Sequence, residues 1–359
     1  MIERGEGIKS HYEHWMSEDS LLGPQGEYFE GSCFANYGFW EEGTGSARQA
    51  CENLMERLLA LAPGRSGTIL DVACGVGATT RHLTKHYPAD RVTAIDISEK
   101  NLETARANAP GVAFRRMDAT RLEFPDGAFD TVICVEAAFH FQPRSRFLLE
   151  ARRVLKPGGR LLLADILCER WADSTSRMLH PENHVPDPKA YEALLVRAGF
   201  ERPEVVDATQ ESWVRSNRQI TRYLCDLYHR GRIDRPAYNR FMTRRLVSTL
   251  STRYYVLAAA PKPAGRVEER ETAGEGEASP PGSEWLGPAP APPNGLRTLV
   301  EHARVAGAER GMRLRRMARL EEAWARMLGR DGDRRGARRH AQRALLYLEA
   351  ARSMGRRRS

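Results

Sequence analysis

Five carboxylates and one histidine stand at or just beyond the ends of apolar runs: Asp71, Asp96, Asp118, Glu136, His140 and Asp165. After Asp71 the chain turns through Val72-Ala73-Cys74-Gly75-Val76-Gly77, and Ala78-Thr79-Thr80-Arg81-His82-Leu83 can open a helix. A buried strand feeding a glycine turn and a helix N-terminus lets a ligand approach bare backbone. A carboxylate at that strand tip repels phosphate and suits an amine or hydroxyl donor. The dinucleotide fingerprint needs a third glycine three residues after Gly77, and Thr80 stands there instead.

Asp96 closes a second run, 19 residues after Gly77. In a doubly wound fold, a carboxylate there reaches the ribose hydroxyls of a nucleoside and accepts two hydrogen bonds. Ile97 follows it directly. Asp118 follows a third run, in Phe114-Arg115-Arg116-Met117-Asp118-Ala119. Phe124-Pro125-Asp126-Gly127 is turn chemistry, and Asp130 beyond it reads as structural. The fourth run ends in Cys134-Val135-Glu136-Ala137-Ala138-Phe139-His140. Ligands of such folds lie beyond the carboxyl ends of the strands. His140 is therefore placed to take a proton from a hydroxyl near neutral pH. Asp165, in the neighbouring run, is read as the carboxylate that orients it.

These residues need a scaffold that brings strand ends together. Strands are expected at residues 68–73, 91–97, 112–117, 129–135 and 160–166, with helices at 98–108 and 144–155 among them. Ser98 is a candidate N-cap. Lys156-Pro157-Gly158-Gly159 stops a helix before the fifth strand. Further on, Tyr191, Leu194, Leu195 and Ala198 mark a helix, 202–208 a strand, Ile220 to Leu227 a helix and 254–260 a closing strand. Strands alternating with helices imply a parallel sheet covered on both faces. The expected fold is α/β: a doubly wound, Rossmann-like, seven-stranded and mostly parallel sheet. Residues 1–66 form an N-terminal helical lid segment with a helix over 46–61, and 67–262 form the main domain. Residues 263–295 are a spacer rich in Pro, Gly and Glu. Residues 296–359 form an arginine-rich helical hairpin.

In this order and spacing the residues resemble the class I S-adenosylmethionine-dependent methyltransferases, in their small-molecule, methyltransferase type 11-like branch. That family's first motif runs acid-x-Gly-x-Gly-x-Gly after a strand. Asp71 to Gly77 follows it with Ala73 at the first glycine. Alanine keeps close packing but resists a positive φ. The Tyr37-Gly38-Phe39-Trp40 element also looks like that branch, and the resemblance runs over about residues 30–262. It implies S-adenosylmethionine as cofactor, held by Asp71, Ala73, Cys74, Gly75, Gly77, Asp96, Ile97, Asp118, Ala119 and Glu136. Asp118 would accept from the adenine amino group and the Ala119 amide would meet a ring nitrogen. Some O-methyltransferases of this type carry two adjacent histidines after the fourth strand. This chain has Phe139 at the first and His140 at the second. The implied reaction is direct displacement of the methyl group onto a small molecule. A hydroxyl acceptor is favoured, with an amine or carbon as alternatives. Tyr37, Trp40, His180 and His184 would shape the acceptor pocket. No metal is expected, since spacing places no third ligand with the two histidines.

Composition bounds the rest. Leu296 to Ser359 hold 18 arginines and no lysine against seven acids, a balance of +11. The whole chain carries +8, so the remainder carries −3. Basicity belongs to the tail, which lacks a nucleic-acid recognition signature. Nucleic acid is therefore disfavoured as a partner. An RNA methyltransferase using the tail and a non-catalytic cofactor-binding protein are the other readings left open. No run reaches the roughly 20 apolar residues of a membrane span. The N-terminus has no apolar signal core, so a cytoplasmic protein, monomeric or homo-oligomeric, is expected. The six cysteines form no C-x-x-C pair and read as reduced thiols.

Overall fold

The computed structural model describes residues 21–62, 64–169, 181–264 and 338. The chain divides into two units, Met1–Glu268 and Glu269–Ser359, and every element named below belongs to the first. His180, nearly all of the expected spacer and the arginine-rich hairpin lie outside the described residues.

Seven strands are present: β1 (Ile69–Val72), β2 (Val92–Asp96), β3 (Ala113–Arg116), β4 (Phe129–Val135), β5 (Leu155–Cys168), β6 (Glu204–Asp207) and β7 (Thr252–Pro261). They form one sheet in the order β3-β2-β1-β4-β5-β7-β6. β1 to β5 pair in parallel, and β7 runs antiparallel to both β5 and β6. This is the doubly wound, mostly parallel sheet that the sequence predicts.

Burial on both faces makes the central strands nearly continuous apolar runs. Along β5, Leu162, Ala164 and Ile166 join one core, while Leu161, Leu163 and Leu167 join the other. The first core is completed by α1 (Ala47–Ala60), through Leu54, Met55 and Leu58. Its N-cap Ser46 accepts from the Gln49 amide. The second core takes α4 (Arg144–Val154) through Phe147 and Ala151, and α5 (Pro188–Arg197) through Tyr191 and Leu195. Two helices follow the strand tips that matter for the site: α2 (Ala78–Leu83) after β1 and α3 (Glu99–Asn108) after β2. Ser98 caps α3 as expected, accepting from the Asn101 amide. Asp130 is structural, accepting from Lys156 Nζ at 2.7 Å and from the Thr68 amide at 2.7 Å.

Several elements depart from the sequence reading. β5 begins at Leu155, not at 160: Phe129 pairs with Leu155 and Thr131 with Arg160, so 156–159 bulge outward. Gly159 suits that bulge, because a Cβ there would lie 2.9 Å from the Asp130 and Lys156 carbonyl oxygens. α6 (Arg215–His229) is preceded by a π-helical turn over Thr209–Val214. α7 (Arg235–Ser251) is absent from the sequence reading, since its arginines blur the apolar period. Its start was legible in Asp234, which accepts from the Ala237 amide, and in Pro236 of the first turn. Of the expected lid, the described residues hold α1, a short 3-10 turn at Glu27–Phe29 and irregular chain between them.

Candidate active site

β1 lies between β2 and β4: the chain runs outward from it to β2 and β3, then crosses back to β4 on its other side. Such a switch point opens a crevice at the carboxyl ends of the strands. The loop after β1 lines it. Ala73 (φ 58°), Gly75 (φ 55°) and Gly77 (φ 84°) all take left-handed conformations. Alanine thus adopts the positive φ it was expected to resist. The surrounding bonds explain this: the Cys74 amide donates to Ile95 O at 3.0 Å, and the Gly77 amide to Cys74 O at 3.0 Å. At Gly77 a Cβ would lie 2.9 Å from Ala105, so only glycine lets α2 approach α3 this closely.

Asp71 braces that loop. Its Oδ2 accepts from Thr80 Oγ1 at 2.6 Å and from Thr79 Oγ1 at 2.8 Å. Burial pushes its carboxyl up to about 6, against those two hydrogen bonds. Asp96 holds the same loop from β2. Its Oδ2 accepts from the Gly75 amide at 3.0 Å and its Oδ1 from the Ser98 amide at 2.9 Å. That Oδ1 also accepts from Asn101 Nδ2 at 3.4 Å. Ile97 next to it is 43% exposed, unusual for a large aliphatic side chain beside a cleft. Beyond β3, Asp118 is exposed, and its Oδ1 accepts from the Thr120 amide at 2.7 Å, while Ala119 is buried.

The other side of the crevice is built from β4, β5 and the segment before α1. Glu136 (φ 52°) follows β4 directly. Its Oε1 accepts from Tyr255 Oη at 2.6 Å and from the Tyr37 amide at 2.8 Å. Dense packing around the carboxyl pushes it up to about 8. Glu136 therefore joins the N-terminal segment to β4 and β7. The Tyr37 ring lies 4.5 Å from the Trp213 ring, tilted at 60° to it. Trp40 is buried, with its indole N–H donating to Tyr37 O at 2.9 Å. Its work is to set the Tyr37 backbone.

His140 ends a 3-10 turn, Ala138–His140, and its ring packs at 3.9 Å on Phe139. The expected His140–Asp165 pair is not formed. β5 continues to Cys168, which leaves Asp165 fully buried rather than at a strand tip. Its Oδ1 accepts from the Phe139 amide at 3.1 Å and the Ile166 amide at 2.9 Å, and its Oδ2 from Tyr191 Oη at 2.8 Å. Arg144 Nε lies 3.0 Å from that oxygen, an ion pair without hydrogen-bond alignment. Asp165 thus anchors the residue before His140, not the imidazole. Burial raises its carboxyl, with Arg144 pulling the other way.

Asn183, Arg144, Tyr191 and Tyr255 were not found from sequence. Asn183 Nδ2 donates to Phe139 O at 3.0 Å and Phe141 O at 2.6 Å, and its Oδ1 accepts from the Arg144 amide at 2.7 Å. This clamps the His140 turn. No sequence signal marks a lone asparagine in a loop as a clamp. A separate cluster joins α1 and α2: Glu56 Oε1 lies 2.7 Å from His82 Nε2 and 2.6 Å from His86 Nε2. Arg65 donates to its other oxygen at 3.0 Å, so a guanidinium already neutralises the group.

Residues 70–163 match the family described as a methyltransferase domain. The chain is 31% identical over 198 residues to 27-O-demethylrifamycin SV methyltransferase of Amycolatopsis mediterranei, covering 50% of this chain and 72% of that protein. It is 30% identical over 206 residues to erythromycin 3''-O-methyltransferase of Saccharopolyspora erythraea, covering 50% and 67%. Among solved structures, the cyclopropane synthase MmaA2 of Mycobacterium tuberculosis has a TM-score of 0.56 at 17% identity, covering 70% of this chain and 97% of that one. The phosphoethanolamine N-methyltransferase 2 of Haemonchus contortus, solved with S-adenosylhomocysteine, has a TM-score of 0.53 at 19% identity, covering 71% and 60%. These structures share the fold. No helix among the described residues is long and apolar enough to cross a membrane. Identity to methyltransferases across most of their length, on the fold those structures share, makes this chain a member of the class I S-adenosylmethionine-dependent methyltransferases, an enzyme with S-adenosylmethionine as its cofactor.

Proposed function

We propose that the enzyme methylates a hydroxyl group of a small molecule, and that His140 receives the hydroxyl proton. The observation that carries this is the placing of His140: a short turn beyond β4, anchored through Phe139 by Asp165 and Asn183. The two relatives named as methylating oxygen support the same choice of acceptor. On this reading Asp96 accepts from the ribose hydroxyls, and the exposed Ile97 packs on the adenine ring. Asp118 and the Ala119 amide meet the ring edge, and the Ala73–Gly77 loop receives the amino-acid end. Tyr37 and His184 border the acceptor.

When bound, S-adenosylmethionine supplies a sulfonium methyl as electrophile and leaves as a neutral thioether. The chain must then hold the acceptor oxygen in line and remove its proton. Alignment alone is worth about 7–11 kcal/mol of barrier. A neutral imidazole at the rim adds roughly 10²–10⁴-fold by taking the proton as the O–C bond forms.

The test is methyl transfer from labelled cofactor to a panel of hydroxyl-, amine- and carbon-nucleophile small molecules. Methylation confined to nitrogen or carbon would sink the hydroxyl assignment. On an alcohol that is turned over, His140→Ala is expected to lower kcat by roughly 10²-fold or more, with cofactor affinity within about twofold. Unchanged kcat removes His140 from the chemistry.

A further inference from the structure

Glu136 is a half-buried carboxyl whose neighbours cannot balance its charge. From the segment before α1 it meets the Tyr37 amide, and from β7 the Tyr255 hydroxyl. From β5 comes Asp165, whose negative charge opposes ionisation, and from α1 the neutral Cys51 thiol. Arg245 of α7 stands over the Tyr37 ring at 6.0 Å and donates to Asn217. No lysine, arginine or histidine among the described residues forms an ion pair with Glu136, and its second oxygen, Oε2, has no protein partner among them. A carboxylate partly withdrawn from water is costly without a cation beside it. The left-handed backbone at Glu136 is costly too, and such strain persists where surrounding bonds impose it. Here the Glu136 amide donates to Ala164 O at 2.8 Å, which fixes the carboxyl at the β4 tip. That tip borders the crevice between β1 and β4.

The cofactor's amino-acid end carries two cationic groups, an α-ammonium and the sulfonium, and one α-carboxylate, so it is cationic on balance. We propose that Glu136 is a proton-exchanging counter-ion for that end. Its carboxyl carries a proton in the cofactor-free protein and releases it to solvent when the cation arrives, leaving a carboxylate paired with the bound cation. The proposal rests on the placement of the cofactor given above. It adds that binding is linked to one proton at a named atom.

The linkage makes binding pH-dependent. A carboxyl titrating at about 8 is roughly nine-tenths protonated at pH 7. Asp71, at about 6, is already largely ionised there. Calorimetric titration of the full-length enzyme with S-adenosylmethionine at pH 7, in two buffers of different ionisation enthalpy, reads the protons exchanged. Wild type is expected to release close to one proton more per bound cofactor than Glu136→Gln. The glutamine keeps an oxygen for Tyr37 and Tyr255 but has nothing to release. Its affinity at pH 8 is expected to be at least tenfold weaker. The ratio of wild-type to variant affinity should fall with acidification below pH 8, the cofactor's own α-amino titration cancelling between the two. S-adenosylhomocysteine divides the cation: equal excess release assigns the α-ammonium, and a lost excess assigns the sulfonium. Binding with equal proton exchange in both proteins overturns the counter-ion and leaves methyl transfer standing. Failure of wild type to bind at all overturns both. Should the variant not fold, carbon-13 spectra of glutamate-labelled wild type decide the matter. One carboxyl must titrate near pH 8 without cofactor and lose that transition with it. No glutamate titrating above pH 6 would also overturn the proposal.

Discussion

At the scale of single residues, Ala73 is where the chain departs from its family's glycine pattern and keeps the backbone that the pattern exists to allow. A left-handed alanine costs roughly 1–2 kcal/mol. Ala73→Gly removes that strain but loosens the unfolded chain, which costs about 0.4–1 kcal/mol. The strain is the larger, so the variant is expected to be about 0.5–1 kcal/mol more stable in urea unfolding. A loss of stability would show that the alanine methyl packs favourably enough to offset φ 58°. The acids at Asp71, Asp96 and Asp118 were legible because each follows an apolar run, and strand ends gather at one rim whatever the sheet order. Their partners were not legible. Asp71 bonds hydroxyls eight and nine residues on, and Asp165 passes over His140 for Tyr191 and two amides. Which hydrogen bond a buried carboxylate takes depends on where neighbouring strands stop, and β5 stops three residues later than a tip at Asp165 would require.

At the scale of elements, the His140 turn is held by a loop, not by a regular helix or strand. Asn183 supplies two N–H bonds and accepts a third, and all three reach residues 139–144. Asn183→Ala leaves the Phe139 and Phe141 carbonyls without that donor. Each unsatisfied buried group costs about 1–3 kcal/mol. The variant is expected to lose roughly 2–4 kcal/mol of stability by denaturant titration. Its kcat should fall more than tenfold while cofactor affinity changes little, because Asp96 and the β1 loop are untouched. An equal loss of affinity and kcat would mean that the clamp serves the whole rim. The alternating strands and helices were readable because both faces of the sheet are buried and the apolar runs are long. α7 was not, since its helix is specified by its cap and first-turn proline more than by a stripe. The antiparallel entry of β7 between β5 and β6 was also beyond reach, because an apolar run has no direction.

At the scale of the molecule, two raised carboxyls at one rim set how stability follows pH. Glu136 moves from 4.5 unfolded to about 8, and Asp71 from 3.8 to about 6. A raised acid holds more protons folded than unfolded. Its stabilisation is complete below the unfolded value and is lost as pH climbs through the folded value. Glu56 runs the other way: although burial pushes it up, hydrogen bonds from His82 and His86 draw it down to about 2. Its carboxylate is 43% exposed, so solvent weakens that contribution. The rim acids should dominate above pH 5. At about 1.4 kcal/mol per pH unit per group, the cofactor-free enzyme is expected to lose about 5 kcal/mol between pH 5 and pH 9. About half of this loss should fall between pH 6 and pH 8 and most of the rest between pH 5 and pH 6. Glu136→Gln should flatten the upper half of that decline, leaving the variant more stable than wild type at pH 9 and nearly equal to it at pH 5. Urea unfolding at pH 5, 7 and 9 checks both curves. Wild-type stability that is level or rising from pH 5 to pH 9 would mean that the carboxyl at the β4 tip is ionised in the free enzyme, with water or a neighbouring dipole balancing it.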